Sequence, residues 1–484
     1  MPLKRGRIRS ITIIQNLQVR RENMYDLVIR NGKLVTEKGI VEADLAVLDG
    51  CIANIMPRGD DVTAGIGEAK ETIDAAGQYV LPGGVDVHTH LDMPLRDNIK
   101  SADDFATGTI AAAVGGTTTI VDYACQEPEG SLADALKVWK EKAKGANVDY
   151  GMHMSLVRAD DATLNEMADM VSQGVTSFKV YLVYGMRLSD EELCRVLDRS
   201  AHLGTLVTAH CENYGVISYR TKKLLAAGKT DPKYHPVSRP DRCEGEAVNR
   251  VLQLAAMTDM APVYIVHNTC RESIKCIEEA RSMGHPVFAE TCPQYLFLDD
   301  SLYELPDFEG AKYVMSPPLR SIADQEYLWE ALKNGTIKVV ATDHCPFPME
   351  QKKIGLHNFS QIPNGGTGIE ERIPLMYSEG RKRGLSMTAV SKLVSTNPAK
   401  LFGMYPRKGT IRIGSDADLV LYDPDKQVTI RHDILHENVD YTCYEGFVVD
   451  GYPTMTILRG QVLAKDGDFT GRSGLGQYIR RDLP

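Results

Sequence analysis

Hydrophobic and polar positions follow two different patterns along the chain. From residue 24 to 80, and again from 406 to 467, short β-rich runs such as DLVIRNGKLV and DADLVLYD are separated by Gly and Asp turn signals. These two stretches flank a long middle segment with another pattern. We therefore predict one small β-sandwich domain that is formed by segments from both ends of the chain.

The middle segment, residues 81–405, alternates near-continuous apolar runs with helix-length segments. EGEAVNRVLQLAAM, for example, places Ala247, Val251 and Leu254 at helical spacing. Strands of this apolar kind are typical of a parallel sheet that is buried on both faces, and eight of them predict a (β/α)8 TIM barrel. The eight strand candidates are residues 79–90, 117–124, 148–156, 175–182, 206–212, 262–268, 286–292 and 337–345.

An open, doubly wound sheet is the alternative to a barrel. Folds of that type often bind a dinucleotide at a Gly-rich turn after a strand. The turn of that kind in this chain, Gly83–Gly84, lacks the spacing of the dinucleotide motif, which favours the barrel.

Composition and charge narrow the class of protein. The 484 residues are 43% hydrophobic and carry a net charge of −10, so the chain is globular and neither nucleic acid nor an anionic membrane is an expected partner. No apolar run approaches the roughly 18–20 residues of a membrane helix.

Ten cysteines without a CxxC pair predict free thiols and a cytoplasmic location. Residues 1–23 carry six basic groups and one acid, and we interpret them as a disordered leader or a start-site extension before Met24.

Six polar side chains share one feature, because each lies at or near the carboxyl end of a strand candidate. They are His88, His90, Lys179, His210, His267 and Asp343. A TIM barrel collects these strand ends on one face. Residues i and i+2 of a strand point to the same side, so the HxH pair can hold one ion. Buried polar groups that converge in this way are hard to satisfy without a metal, and we predict a metal centre.

Lys179 lies in the β-branched and aromatic run SFKVYLVY, which predicts that its amine is buried. Burial favours the neutral amine, and a neutral amine reacts with CO₂ to give a carbamate that can bridge two metals. A lysine paired with a carboxylate is the alternative. Neighbouring histidines have simpler interpretations: His153 is structural within its strand, and His344 points away from Asp343.

A centre of histidine, carboxylate and carbamate ligands suits two divalent metals, most readily zinc, with manganese, cobalt or iron as substitutes. Such a pair generates hydroxide at neutral pH, and Asp343 can accept the proton of the attacking water. The residues alone therefore predict metal-assisted hydrolysis of a carbonyl compound.

The motifs, taken in order, resemble one enzyme family. GGVDVHTHLDMP, GGTTTIVDY, SFKVYLVY, HCEN, ETCPQYL, SPPLR, TDHCPF and NGGTGIEER are similar to segments of the amidohydrolase superfamily, and within it of the hydantoinases and dihydropyrimidinases. The resemblance covers nearly the whole chain from Met24. SRP at 238–240, RCEGEA at 242–247 and the ending FTGRSGLGQYIRR favour the bacterial D-phenylhydantoinase branch.

The resemblance implies a role for each site residue. His88, His90 and Asp343 would ligate the more buried metal and His210 and His267 the other, with Lys179 as a bridging N6-carboxylysine. Tyr184 would hydrogen-bond the developing oxyanion, although ordinary aromatic packing is its alternative. Backbone groups of two residues would hold the ring amide, and four side chains would form an apolar wall around the exocyclic substituent. The backbone pair is Ser316 and Asn364, and the wall is Met93, Leu95, Tyr181 and Leu188. Arg96 and Asp97 fit solvated loop charges.

The resemblance also implies a substrate and an assembly. The substrate would be a small cyclic amide, a 5-substituted hydantoin opened to an N-carbamoyl amino acid. Dihydrouracil or dihydrothymine is the alternative, and allantoin or dihydroorotate a more distant one. A non-catalytic scaffolding relative is the alternative from a different class. The family is expected to form a homotetramer, with the tail 468–484 at an interface, whereas a monomer with a loose tail is the simpler interpretation.

Overall fold

A computed structural model describes residues 24–58, 66–96 and 98–484. The predicted leader 1–23 and Asp97 lie outside the described residues. Among the described residues, no helix has both the length and the apolar character that crossing a membrane requires.

The strands and helices are numbered here in chain order. The strands are β1 Tyr25–Thr36, β2 Gly39–Leu48, β3 Cys51–Pro57, β4 Ala69–Asp74, β5 Tyr79–Pro82, β6 Gly84–Thr89, β7 Pro94–Arg96, β8 Ile99–Lys100, β9 Thr117–Cys125, β10 Asp149–Ser155, β11 Ser177–Tyr181, β12 Leu206–His210, β13 Val263–Ile265, β14 Val287–Thr291, β15 Val339–Val340, β16 Leu419–Thr429, β17 Val448–Leu458, β18 Gln461–Lys465 and β19 Asp468–Phe469. The helices are α1 Thr107–Val114, α2 Leu132–Lys142, α3 Asp161–Ser172, α4 Asp190–Leu203, α5 Tyr214–Ala226, α6 Tyr234–Ser238, α7 Asp241–Met257, α8 Arg271–Ser282, α9 Pro293–Phe297, α10 Ile322–Lys333, α11 Met349–Lys352, α12 Arg372–Lys382, α13 Met387–Ser391 and α14 Asn397–Leu401.

Eight parallel strands form the barrel, and they pair in chain order from β6 through β9–β14 to β15. The circle closes through Asp343 N–H, which donates to His88 O at 2.9 Å, and His90 N–H, which donates to His344 O at 3.0 Å. The predicted TIM barrel is confirmed, and each candidate run contains a barrel strand. The first candidate is two strands, because β5 at Tyr79–Pro82 pairs with β1 and β16 in the other sheet.

The barrel strands are buried along nearly their whole length, which is why they lack the alternation of a half-buried strand. Several helices between them, α2, α3, α4 and α10 among them, begin at side-chain caps. In α4, for example, Ser189 and Glu192 form a capping box, and Gly204 ends the helix at φ 68°. In α7, Ala247 and Val251 are buried as the helical spacing predicts.

Strands from the two ends of the chain form one separate nine-stranded sheet. Its order is β19-β18-β17-β16-β5-β1-β2-β3, with β4 parallel to β1. A buried ion cluster joins this sheet to the barrel: Lys408 Nζ lies 2.6 Å from Asp149, 2.9 Å from Asp416 and 2.7 Å from Asp418.

The C-terminal tail packs against the start of the barrel strands of its own chain. Tyr150 N–H donates to Gln477 O at 3.0 Å, and Ile479 N–H donates to Tyr150 O at 2.7 Å. Ile479 and Arg481 are buried, and the Arg481 guanidinium donates to Ser177 Oγ at 2.8 Å. The tail therefore covers the barrel floor, opposite the strand ends that carry the predicted ligands.

Candidate metal centre

The first and last barrel strands bring three predicted ligands together. His88 Nε2 and His90 Nε2 each lie 3.0 Å from Asp343 Oδ1. Ligand atoms that share one zinc ion lie about 2.0–2.2 Å from it, so separations near 3 Å between ligands are of the right order for a shared ion. The arrangement follows from the closing hydrogen bonds of the barrel, which set His88 and His90 beside the segment after β15.

A second pair of predicted ligands lies at the ends of β12 and β13. His210 Nδ1 and His267 Nε2 are 2.9 Å apart, with ring centroids separated by 4.5 Å. The His267 ring also lies 5.5 Å from the His88 ring, so the two clusters are neighbours. The structure thus offers two adjacent sets of nitrogen donors at the same mouth of the barrel.

Lys179 lies in β11, next to β12, and its side chain is buried. Its Nζ lies 4.8 Å from the Tyr123 ring centroid and 5.4 Å from the Tyr181 ring centroid. No described carboxylate hydrogen-bonds to it, so the alternative of a carboxylate-paired lysine is not what the structure has. Burial lowers the pKa of Lys179 to about 8 against the attraction of Asp343 and Glu290.

The chemistry of the donor set fits divalent metals. Buried nitrogen atoms without a hydrogen-bond partner include His88 Nε2, His90 Nδ1 and His267 Nδ1. Burial lowers the pKa of His90 to about 4, and it lowers the pKa values of His210 and His267 as well. These imidazoles are neutral near pH 7, which is the form that binds metal.

Two buried glutamates support the histidines, and sequence reasoning missed both. His88 Nδ1–H donates to Glu290, which also accepts from Tyr264 Oη at 2.8 Å and from the His267 N–H at 3.1 Å. His210 Nε2–H donates to Glu212 at 2.9 Å, and Arg239 binds the same oxygen at 2.6 Å. Such carboxylates orient a ligating imidazole. The signal was an acid at or just after the end of an apolar strand, in VFAET and AHCE.

Three site residues have backbone angles that non-glycine residues rarely adopt. The φ angle is 69° at Tyr184, 36° at His267 and 55° at Asp343. Left-handed backbone at such residues persists only where the surrounding structure enforces it, and it clusters at functional sites.

One cavity of about 1170 Å³ connects the predicted site residues. All six predicted ligands line it, together with Tyr184, Ser316, Asn364, Met93, Leu95 and Tyr181. Leu188, which was expected in the apolar wall, does not line the cavity. Its backbone N–H donates to Tyr181 O at 3.0 Å. Burial raises the pKa of Tyr184 to about 12, so its phenol stays protonated and can donate a hydrogen bond.

Three further residues that the sequence singled out, Arg96, His153 and His344, have hydrogen-bond partners in the structure. Arg96 is not simply solvated, because its guanidinium donates to Gln361 O at 2.7 Å across the cavity mouth. His153 is hydrogen-bonded between Ser177 Oγ and Val87 O, in keeping with a structural role. His344 faces Asp103 at 3.0 Å rather than the ligands.

Comparisons with known proteins show the family to which the chain is similar. The amidohydrolase family model matches residues 79–463. The chain is 45% identical to a D-hydantoinase of Ralstonia pickettii, and the match covers 94% of this chain and 99% of the relative. It is 42% identical to a D-phenylhydantoinase of Escherichia coli, and that match covers 94% of this chain and 98% of the relative. A solved structure of a dihydropyrimidinase from Brevibacillus agri superimposes with a TM-score of 0.91 at 45% identity, over 95% of this chain and 99% of that chain.

The chain belongs to the amidohydrolase family. Its relatives place it among the hydantoinases, as the motifs indicated. The chain is a cyclic amidohydrolase of a metal-dependent family, and His88, His90 and Asp343 form a group that could hold a metal ion.

Proposed function

We propose that this amidohydrolase opens the ring of 5-substituted hydantoins to give N-carbamoyl amino acids. The observation that carries the proposal is the single cavity in which two donor clusters, a buried lysine and a protonated tyrosine converge. A cavity of about 1170 Å³ is far larger than a five-membered cyclic diamide, so it leaves room for an exocyclic substituent. Met93, Leu95 and Tyr181 supply apolar surface for that substituent.

The metal ligands are assigned as follows in this proposal. His88, His90 and Asp343 would hold one ion, His210 and His267 would hold the other, and Lys179 as N6-carboxylysine would supply oxygen ligands to both. The burial of the Lys179 amine beside the cavity and its lack of a carboxylate partner support the carbamate. Two divalent ions, for which zinc is our choice, would supply Lewis acidity and a hydroxide at neutral pH.

The side chains then divide the remaining work. Asp343 accepts the proton of the attacking water and returns it to the leaving ring nitrogen. Tyr184 donates its phenolic hydrogen to the carbonyl oxygen as negative charge develops there. Backbone groups at Ser316 and Asn364 hold the ring amide. Both residues line the same cavity as Tyr184.

The test is substrate profiling of protein loaded with zinc and bicarbonate. We expect 5-phenylhydantoin to be turned over faster than dihydrouracil, allantoin or dihydroorotate, with an N-carbamoyl amino acid as product. A preference for dihydrouracil would favour the dihydropyrimidinase alternative. Absence of turnover of any cyclic amide by protein with two metals per chain would refute the proposal.

Lys179→Ala tests the carbamate separately. Because the bridge would be lost, we expect both metal content and turnover to fall, and full metal occupancy in this variant would contradict the assignment. Metal analysis also tests the scaffolding alternative, which requires less than one ion per chain after incubation with zinc and bicarbonate.

We further propose a homotetramer in the cytoplasm. The family resemblance supports the assembly, and ten cysteines without a disulfide support a reducing compartment. The tail 468–484 is anchored on its own barrel floor up to Arg481, so its exposed residues are those available for an interface. Size-exclusion chromatography with light scattering measures the assembly directly.

A further inference from the structure

We propose that Lys352 is a positioning residue for the substrate, because its ammonium ties together the two loops that carry Ser316 and Asn364. The inference rests on the proposed function, because Lys352 would set the distance between the backbone groups that hold the ring amide of the substrate. Lys352 does not line the cavity, and nothing in its sequence context, EQKKIG, distinguishes it from a solvated lysine.

The Lys352 side chain is completely buried at the end of the short helix α11. Its Nζ donates to Val314 O at 3.1 Å, Pro363 O at 3.2 Å and Gly365 O at 3.0 Å. An ammonium has three N–H donors, so these three carbonyls satisfy it completely. No described carboxylate pairs with it, which means that a full charge is held by backbone dipoles alone.

The three carbonyls belong to two loops at the mouth of the barrel. Val314 lies two residues before Ser316, and Pro363 and Gly365 flank Asn364. The loops also touch directly, because Gly365 N–H donates to Val314 O at 3.0 Å. Lys352 thus bonds to the carbonyl oxygens of the residues on both sides of Asn364 and to the carbonyl oxygen of Val314, in the loop that leads into Ser316.

Other contacts fix these loops to the metal centre. Cys345 N–H, two residues after Asp343, donates to Gly366 O at 3.1 Å, and His235 Nε2–H donates to Met315 O at 2.8 Å. Because these contacts remain when Lys352 is replaced, its loss should change the spacing of Ser316 and Asn364 while the predicted ligands keep their places. A defect confined to substrate binding should raise KM and leave kcat unchanged.

The experiment compares K352M with the matched control K353M in zinc-loaded enzyme. Lys353 is the next residue, and it is exposed and pairs only with Glu350. Losing a charged group that bonds three buried carbonyls should raise the KM for 5-phenylhydantoin by about tenfold or more. We expect kcat, metal content and the K353M values to stay near those of wild type. An unchanged KM in folded, metal-replete K352M would overturn the inference. A fall in kcat as large as the rise in KM would overturn it as well, because the defect would then not be confined to substrate binding.

Hydrogen exchange gives a readout that does not depend on turnover. In K352M, peptides covering residues 314–316 and 363–366 should exchange faster, while β6 and β11 stay protected. If wild type hydrolyses no cyclic amide, the proposed function fails, and the exchange pattern alone decides whether Lys352 joins the loops. Unchanged exchange in both peptides would refute the tie.

If K352M does not fold, K352Q and the wild-type pH profile carry the test. Burial lowers the pKa of Lys352 to about 8, so the charged tie exists below that pH and is lost above it. The groups that face it are His235, Cys345 and Cys443. Burial lowers the pKa of the histidine to about 3 and raises those of the thiols, so none of the three changes charge as pH rises through about 8. The KM for dihydrouracil should therefore rise between about pH 7 and about pH 9, as the Lys352 ammonium loses its proton. A flat profile together with a wild-type KM in K352Q would overturn the inference.

Discussion

Among the described residues, Glu290 is the one carboxylate that hydrogen-bonds to both halves of the candidate metal centre, and E290Q is the sharpest test of the support it gives. Its side chain is completely buried and accepts hydrogen bonds from His88 Nδ1, the His267 N–H and Tyr264 Oη. Glutamine keeps the size and one carbonyl oxygen but removes the charge. The substitution therefore weakens the hold on His88 without opening a cavity.

The magnitude follows from the number and type of these bonds. A hydrogen bond to a charged group contributes about 1.5–3 kcal/mol and a neutral one about 0.5–1.5 kcal/mol, so E290Q should lose about 1–1.5 kcal/mol at His88. That corresponds to about tenfold weaker metal binding, at the lower end of the effect of removing such a support. E290A leaves three donors unsatisfied and should cost about 100-fold or more.

Chelator competition measures the effect directly. Zinc content is followed by elemental analysis during titration with a chelator, for wild type, E290Q and the control Y264F. Y264F removes only the donor that lies away from the imidazole, so it should retain zinc within about threefold of wild type. If E290Q retained zinc as tightly as wild type throughout the titration, Glu290 would have no part in holding the centre.

Three other substitutions test separate parts of the molecule. K408M removes the cation that three buried carboxylates surround, and it should lower the free energy of unfolding in urea titrations by about 3–5 kcal/mol. The control K400M removes one partner of the half-exposed pair with Glu37 and should change that free energy by less than about 1 kcal/mol. Y184F should lower turnover by about 100-fold with unchanged metal content, and near-normal turnover would remove Tyr184 from the oxyanion role. Deleting residues 477–484 uncovers the barrel floor and should lower Tm, because burial of Ile479 alone contributes about 1.5–3 kcal/mol; an unchanged Tm would contradict that packing.

The barrel, and the convergence of the six candidate ligands on one cavity, could be predicted because their signals are local. A strand buried on both faces must be a continuous apolar run, so a polar residue at its end stands out, as His88, Lys179 and Asp343 do. Barrel closure then follows from counting eight such runs. No long-range information is needed to conclude that these ends share one face.

The supporting residues could not be predicted in the same way, because their roles depend on contacts distant in sequence. Glu290 and His88 are 202 positions apart, and Lys352 is surrounded in sequence by residues typical of a solvated helix. The left-handed φ of Tyr184 likewise depends on the loops around it rather than on its residue type. Leu188 was expected to line the cavity beside Tyr181, but it does not. The number of residues between two positions does not show whether a loop side chain reaches the cavity.

Three buried lysines show how surroundings decide what one side chain does. Lys408 lies among three carboxylates, which raise its pKa, so it is a permanent cation that joins two sheets. Lys352 has all three N–H groups bound to carbonyl oxygens, so no face of its amine is open to a reactant. Lys179 has neither kind of partner within hydrogen-bonding distance in the part of the chain that the structure describes, and it is the one of the three that lines the cavity. An amine that is buried, unpaired and open to a small molecule is the one suited to covalent modification. Lys179 is therefore the position at which we propose the carbamate, even though burial lowers the pKa of Lys352 equally, to about 8.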